Sequence, residues 1–271
     1  MIVLGDVFPI RPKSKDSALK FGEEAIIIGL QLGYGMKYAI AKLNEDDKIL
    51  PNVALRAKIF AASHTREFIK MTIVRKSRVQ LVGVVGAAIS DVSAKVASIL
   101  QVFEILQISN CSTSVSLSEK DFYSYFLRTV PPDLFQAKAM VDIRLKFGWI
   151  YVFTVDSEGI YGTRGTEAFH AIAQRSGICT NPITFVGRLT QNEDYVEVVW
   201  KMVERSKGTG VSVVLLFCTT EHSYGITRAA QNIGKSMKFT WIASDAWDTT
   251  KVHLSNTAVV AVKLGSSTSG F

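Results

Sequence analysis

The run from Val82 to Ser114, VGVVGAAISDVSAKVASILQVFEILQISNCSTS, constrains the fold more tightly than any other stretch of the chain. A short apolar segment, a turn of small residues, an amphipathic helix, a second apolar segment and a hydroxyl-rich loop follow in that order. Two strands joined in this way put both polar loops at the carboxyl ends of neighbouring strands. On the helix, Val92, Val96, Ile99, Leu100 and Phe103 recur at helical spacing and form a core-facing stripe, with Val102 left on another face. Ser90 and Asp91 stand where the helix begins. Its unpaired N–H groups and the positive end of its dipole favour a small anion there, such as a carboxylate. An ordinary capped crossover accounts for the same residues.

At 271 residues and 48% hydrophobic content, the chain has material for one large or two medium domains with real cores. The longest apolar runs are Ala25–Leu32, Val79–Ile89 and Val211–Cys218. Each falls short of the roughly 20 residues that span a bilayer. Ile2–Leu4 reads as a strand, and no basic segment followed by an apolar one marks a secretory signal at Met1. The formal charge is +7, but Lys and Arg are scattered, and no basic stripe interleaved with aromatics marks a nucleic-acid partner. Cys111, Cys179 and Cys218 have no CxxC or Cys/His ligand spacing, so no metal site is expected.

Strand-like and helix-like segments alternate along the chain: Ile2–Leu4, a helix over Ala25–Leu43, Val53–Phe60, a helix over Thr65–Arg75, Leu81–Gly86 and a helix over Asp91–Phe103. Short apolar strands between amphipathic helices predict parallel sheet with helices on both faces. The alternation breaks over Ser116–Asp133, where Pro131-Pro132 stops regular structure and redirects the chain. It restarts with helices over Leu134–Phe147, Thr163–Arg175, Glu193–Arg205 and His222–Ile233. Strands Tyr151–Val155, Ile183–Val186, Val211–Phe217, Phe239–Ala243 and Ala258–Leu264 lie between and after them. The expected organisation is therefore α/β and two-lobed. Residues 1–130 form the first lobe and 131–256 the second, with 257–271 a return strand toward the first lobe and a polar tail.

No catalytic constellation emerges, and no enzyme is expected. Walker, GxGxxG and GxSxG motifs are absent, and Gly83-Val84-Val85-Gly86 lacks the third glycine and acidic partner of a dinucleotide site, so no cofactor is expected. The loops suit a zwitterion better. Ser90, Thr113 and helix N–H groups would hold an α-carboxylate; Asp133 and Asp245 would hold an α-ammonium, with the Tyr161 ring covering it. Each residue also has a plainer role open to it: capping for Ser90 and Asp133, loop closure for Thr113, core packing for Tyr161, turn bracing for Asp245.

Across SDVSAKVASILQVFEILQIS, STSVSLSEK, YFLRTVPPDLFQAKAMVDI, FGWIYVFTVDSEGIYGTRGTEAF and FTWIASDAW, in order and through both lobes, the sequence resembles the extracellular ligand-binding domain of the metabotropic glutamate receptors. These are class C G-protein-coupled receptors with a two-lobed, periplasmic-binding-protein-like (type I) ectodomain. The resemblance implies that Ser90, Thr113 and the Cys111 main chain hold the ligand α-carboxylate, and that Asp133, Tyr161 and Asp245 face its ammonium. It also implies an L-amino acid as ligand, cleft closure as the activating step, and coupling to a G protein through a membrane region outside this chain. Ile99, Val102 and Phe103 match the family's dimer helix and imply a noncovalent homodimer on the extracellular side of the cell membrane.

Several positions depart from that pattern. Gly29-Leu30-Gln31-Leu32 stands where the family has Gly-Ile-Gln-Arg, so the contact to the distal carboxylate of glutamate is lost, and Leu32 predicts a preference for neutral or apolar side chains. The family's lysine to the same carboxylate would lie past Phe271, as would the elements completing the first lobe. Ala246 replaces a glycine. Phe21 and Ser63 stand where a cysteine pair is expected, and the linking loop is cut to a few residues around Lys76–Arg78. Alternative readings are a non-binding dimerisation module derived from such a receptor, or a soluble amino-acid-binding protein.

Overall fold

The computed structural model describes residues 2–8, 33–46, 48–49, 51, 53–61, 80–184, 192–247 and 259–262. Two compact units make up the chain: Met1–Ser112 with Leu117–Val130, and Thr113–Ser116 with Pro131–Phe271. The division after Val130 falls at the Pro131-Pro132 pair. Thr113, expected on the first lobe, is grouped with the second unit, where its carbonyl accepts the Asp133 N–H at 2.8 Å. Phe21, Leu32, Ser63, Lys76–Arg78 and the helix expected over Thr65–Arg75 lie outside the described residues.

In the first unit, β1 (Ile2–Phe8), β2 (Leu55–Ala61), β3 (Gln80–Gly86), β4 (Leu106–Ser109) and β5 (Phe126–Arg128) form a parallel sheet in the order β2-β1-β3-β4-β5. Parallel strands need cover on both faces, and consecutive residues of β3 show how it is supplied. Val85 packs with Met36 and Ile40 of helix α1, described over residues 33–45, while Val84 packs with Val96 and Leu100 of α2 (Ser90–Val102). Asn44 locks α1 to β2 by a reciprocal pair, its amide donating to the Leu55 carbonyl at 2.9 Å and its carbonyl accepting the Leu55 N–H at 2.8 Å. Of the expected stripe on α2, Val96 and Leu100 are buried and Val92, Ile99 and Phe103 are half-buried; Ser93 and Ala97 complete the buried face. The supposed break after Ser116 contains β5, whose three residues are too few to show a periodicity. Phe126 fills the space beside Ala97 and Leu117.

The second unit runs α3 (Asp133–Lys146), β6 (Tyr151–Asp156), α4 (Ile160–Arg175), β7 (Cys179–Thr184), α5 (Asn192–Thr209), β8 (Val213–Phe217), α6 (Thr220–Asn232), β9 (Thr240–Ala243) and β10 (Val259–Ala261). Its sheet is parallel in the order β10-β9-β8-β6-β7. The run Val213-Val214-Leu215-Leu216-Phe217 is buried on both faces. Val214 and Leu216 pack with residues of α5 and α6, whereas Val213, Leu215 and Phe217 pack with residues of α3 and α4. The chain leaves β6 toward β7 but leaves β8 toward β9, so the order reverses between β6 and β8. The carboxyl ends at such a reversal are where open α/β sheets place ligands. The expected return strand is, over Val259–Ala261, the edge strand beside β9.

Helix α4 begins at Ile160, three residues before the sequence reading, because Gly159 enters it at φ 108°, a conformation that favours glycine. Gly162, which the sequence left outside the helix, and Gly165 are both helical and let α4 lie against the sheet. A Cβ at Gly162 would stand 2.8 Å from the Ser157 nitrogen and 2.9 Å from the Phe217 carbonyl oxygen, and one at Gly165 would overlap the Phe217 ring. Substitution Gly162→Ala is expected to destabilise the second unit by about 1–3 kcal/mol. Gly208→Ala on α5, where a Cβ meets open space, should instead stabilise by roughly 0.5–1 kcal/mol. Urea unfolding of both variants beside the parent chain checks the contrast.

Candidate ligand-binding site

In the first unit the loops after β3 and β4 are joined by buried hydroxyls converging on one carbonyl. Ser93, Ser109 and Ser112 each place Oγ 2.7 to 2.9 Å from the Ala87 oxygen, and Ser93 and Ser112 stand 2.7 Å apart. A hydroxyl has one proton, so one of Ser93 and Ser112 donates to the carbonyl while accepting from the other, which then has no proton left for the carbonyl. Ser109 also accepts the main-chain N–H groups of Ser112 at 3.0 Å and Cys111 at 3.3 Å, which turns the chain after β4. Of the expected carboxylate holders, the Cys111 main chain sits in this turn with its N–H engaged by Ser109, and the residue is exposed. Ser90 is buried in the first turn of α2. The capping position belongs to Ile89, whose carbonyl accepts the N–H groups of Val92 and Ser93 at 3.0 and 2.9 Å.

Thr113, Asp133, Tyr161 and Asp245 all belong to the second unit. Asp133 is the first residue of α3, after Pro132 in the capping position. Proline fixes the extended entry, and the carboxylate then lies at the positive end of the helix dipole, fully buried. Tyr161 lies in the first turn of α4, and its phenol oxygen is 2.8 Å from both Ser244 Oγ and Asp245 Oδ1. With a single proton, the phenol donates to the carboxylate and accepts from the serine. Burial pushes the Tyr161 hydroxyl well above its ordinary range, and the negative charges of Asp245 and Asp133 push it further. It therefore stays neutral and a donor at physiological pH. Asp245 sits in a turn after β9, closed by the Trp247 N–H on the Ser244 carbonyl at 3.0 Å. Ala246, where the family pattern has glycine, turns its carbonyl to the Thr220 hydroxyl at 2.7 Å.

Gln136, one turn into α3, is a member of this cluster that the sequence reading missed. Its Nε2 donates to Asp133 Oδ1 at 2.8 Å, and its Oε1 accepts the Asp245 N–H at 2.8 Å. The i, i+3 spacing from Asp133 was a legible signal for the first bond; the second joins residues 109 positions apart and had none. Ser244 entered the sequence reading only within the stretch FTWIASDAW. Asp156, the lone acid ending the apolar strand β6, was also passed over.

Parallel α/β units with convergent polar groups at strand carboxyl ends define a ligand-binding domain with the type I periplasmic-binding-protein-like fold. Residues 31–270 match the receptor family ligand binding region, and the chain belongs to that family. It is 33% identical to a metabotropic glutamate receptor of Drosophila melanogaster over 273 aligned residues, 91% of this chain and 28% of that protein. Metabotropic glutamate receptor 8 of Homo sapiens and of Rattus norvegicus match at 33% identity over 270 residues, 91% of this chain and 29% of each receptor. The chain thus spans under a third of the length of these relatives, and corresponds to the ligand-binding domain of a class C receptor. Among the described residues, no helix is long and apolar enough to cross a membrane.

The Asp156 carboxyl is pushed up to about 6, by burial first and then by the charge of Glu167. Between the ordinary carboxylate range and pH 6 the folded chain keeps a proton that the unfolded chain has lost. Stability from this group therefore falls as pH rises across that window and stays lower above it. Asp156→Asn is expected to flatten the fall and to stabilise at pH 7.5 by no more than about 3 kcal/mol. Urea midpoints of the variant and the parent chain at pH 4.5 and 7.5 measure the difference.

Proposed function

We propose that this chain binds an L-amino acid as the extracellular ligand-binding domain of a metabotropic-glutamate-like receptor. The observation that carries the proposal is the arrangement of Asp133 and Asp245, two acids from distant elements: Gln136 joins the Asp133 carboxylate to the Asp245 main-chain N–H, and the Tyr161 phenol holds the Asp245 carboxylate. Acceptors held in this way suit an α-ammonium, and each charge-assisted bond to it contributes roughly 1.5–3 kcal/mol, or one to two decades of affinity. Ser90, Thr113 and the Cys111 main chain take the α-carboxylate. Activation follows from the same chemistry: a ligand bonded by both units favours whichever arrangement lets both bond it at once. Coupling to a G protein, through a membrane region outside this chain, belongs to the proposal by family.

Isothermal titration with L-leucine, L-serine, L-glutamine and L-glutamate tests it. At least one should bind, and Asp133→Ala or Thr113→Ala should weaken it about 10- to 100-fold. Leu32 makes leucine or glutamine the tighter ligand. Silence of the wild type across the panel overturns the proposal, and glutamate binding as tightly as the neutral ligands overturns the preference.

A second reading, an interaction module paired through α2, is favoured by Val102, which is 76% exposed beside half-buried Ile99 and Phe103. An apolar side chain so exposed on a structured helix suits a noncovalent homodimer. Sedimentation should show a concentration-dependent dimer that Val102→Asp abolishes. A wild-type monomer at tens of micromolar removes this reading.

A further inference from the structure

We infer that Gln136 is the positioning residue for the ammonium end of the ligand, setting the spacing between Asp133 and Asp245. The inference rests on the amino-acid-binding reading and adds to it the device that keeps two carboxylates at one separation. Asp133 begins α3, and Asp245 lies in the turn after β9, so no local geometry relates them. Gln136 does, through both faces of one fully buried amide: Nε2 to Asp133 Oδ1 and Oε1 to the Asp245 N–H, each at 2.8 Å. A carboxylate accepts only and a main-chain N–H donates only, so the amide has one orientation that satisfies both. Reversing it would set donor against donor and acceptor against acceptor.

Other contacts anchor each acid separately. The Asp133 N–H is fixed on the Thr113 carbonyl at 2.8 Å, and the Asp245 carboxylate is held by the Tyr161 phenol at 2.8 Å. Gln136 is therefore the link between two otherwise separately anchored groups. Because it is neutral, it joins the acids without supplying a cation of its own that would compete with an ammonium. An ammonium directs its N–H groups tetrahedrally, so its affinity depends on where two acceptors stand relative to each other. A ligand lacking the ammonium does not feel that spacing.

The experiment compares L-leucine with its α-hydroxy analogue, L-2-hydroxy-4-methylpentanoate, and L-glutamine with L-2-hydroxyglutaramate, by calorimetry on the intact chain. Gln136→Met keeps the volume and removes both bonds. Gln136→Glu keeps an acceptor for the Asp245 N–H but sets a carboxylate against Asp133. In both variants the preference for amino over hydroxy acid is expected to fall about tenfold, with hydroxy-acid affinity changing less than about twofold. If amino and hydroxy acids weaken by one common factor, or the preference is unchanged, Gln136 is only structural and the inference is overturned. Wild-type silence toward the amino acids overturns the underlying reading and this inference together. A readout that needs no variant is amide hydrogen exchange at Asp245 in the wild type. L-leucine should slow it more than the hydroxy analogue does, and equal protection also overturns the inference.

Discussion

The close approach of α4 to strands β6 and β8 is the constraint on which the second unit depends. It is possible only because Gly162 and Gly165 present no side chain to the Ser157 main chain and the Phe217 ring. The helix then starts directly against the strand ends, and Tyr161 in its first turn reaches the turn after β9, with its ring 5.8 Å from that of Phe217. Two glycines thus convert a packing requirement into the placement of a polar group. The same contact closes the switch point between β6 and β8, where the Ser157 N–H bonds the Phe217 carbonyl at 3.2 Å.

Polar groups at the strand ends are arranged differently in the two units. In the first, neutral serine hydroxyls crowd around the Ala87 carbonyl and consume one another's hydrogen-bonding capacity, which rigidifies the loops bearing Ser90 and Cys111. In the second, the groups are acids, and a neutral amide and a neutral phenol hold them. Burial keeps Tyr161 protonated. The described ion pairs, such as Lys42–Glu45 and Lys207–Glu204, are exposed neighbours on helices and contribute little to either arrangement. Specific polar placement, rather than surface charge, distinguishes the two units.

Much of this was legible in the chain. Apolar runs of strand length between amphipathic segments required parallel sheet covered on both faces, as both sheets are. Strand β5 was hidden because three residues cannot display a period of two. The first turn of α4 was hidden because Gly162 there serves close packing against the sheet rather than a turn. Asp133, Tyr161 and Asp245 were singled out by residue type and by their places after strands or at helix starts, but the bonds that join them to Gln136 and Ser244 were not foreseen.

The sequence by itself determined which residue types stand at the ends of strands, because hydrophobic periodicity and turn chemistry are local properties. Tertiary structure alone decided how those residues are joined. The bond from the Asp245 N–H to Gln136 spans 109 residues, and nothing local at either end encodes it. The grouping of Thr113 with the second unit, through the Asp133 N–H, was decided the same way. Pairings at such separation arise only when strand order brings distant loops to one edge of a sheet, and that order is a property of the packed chain.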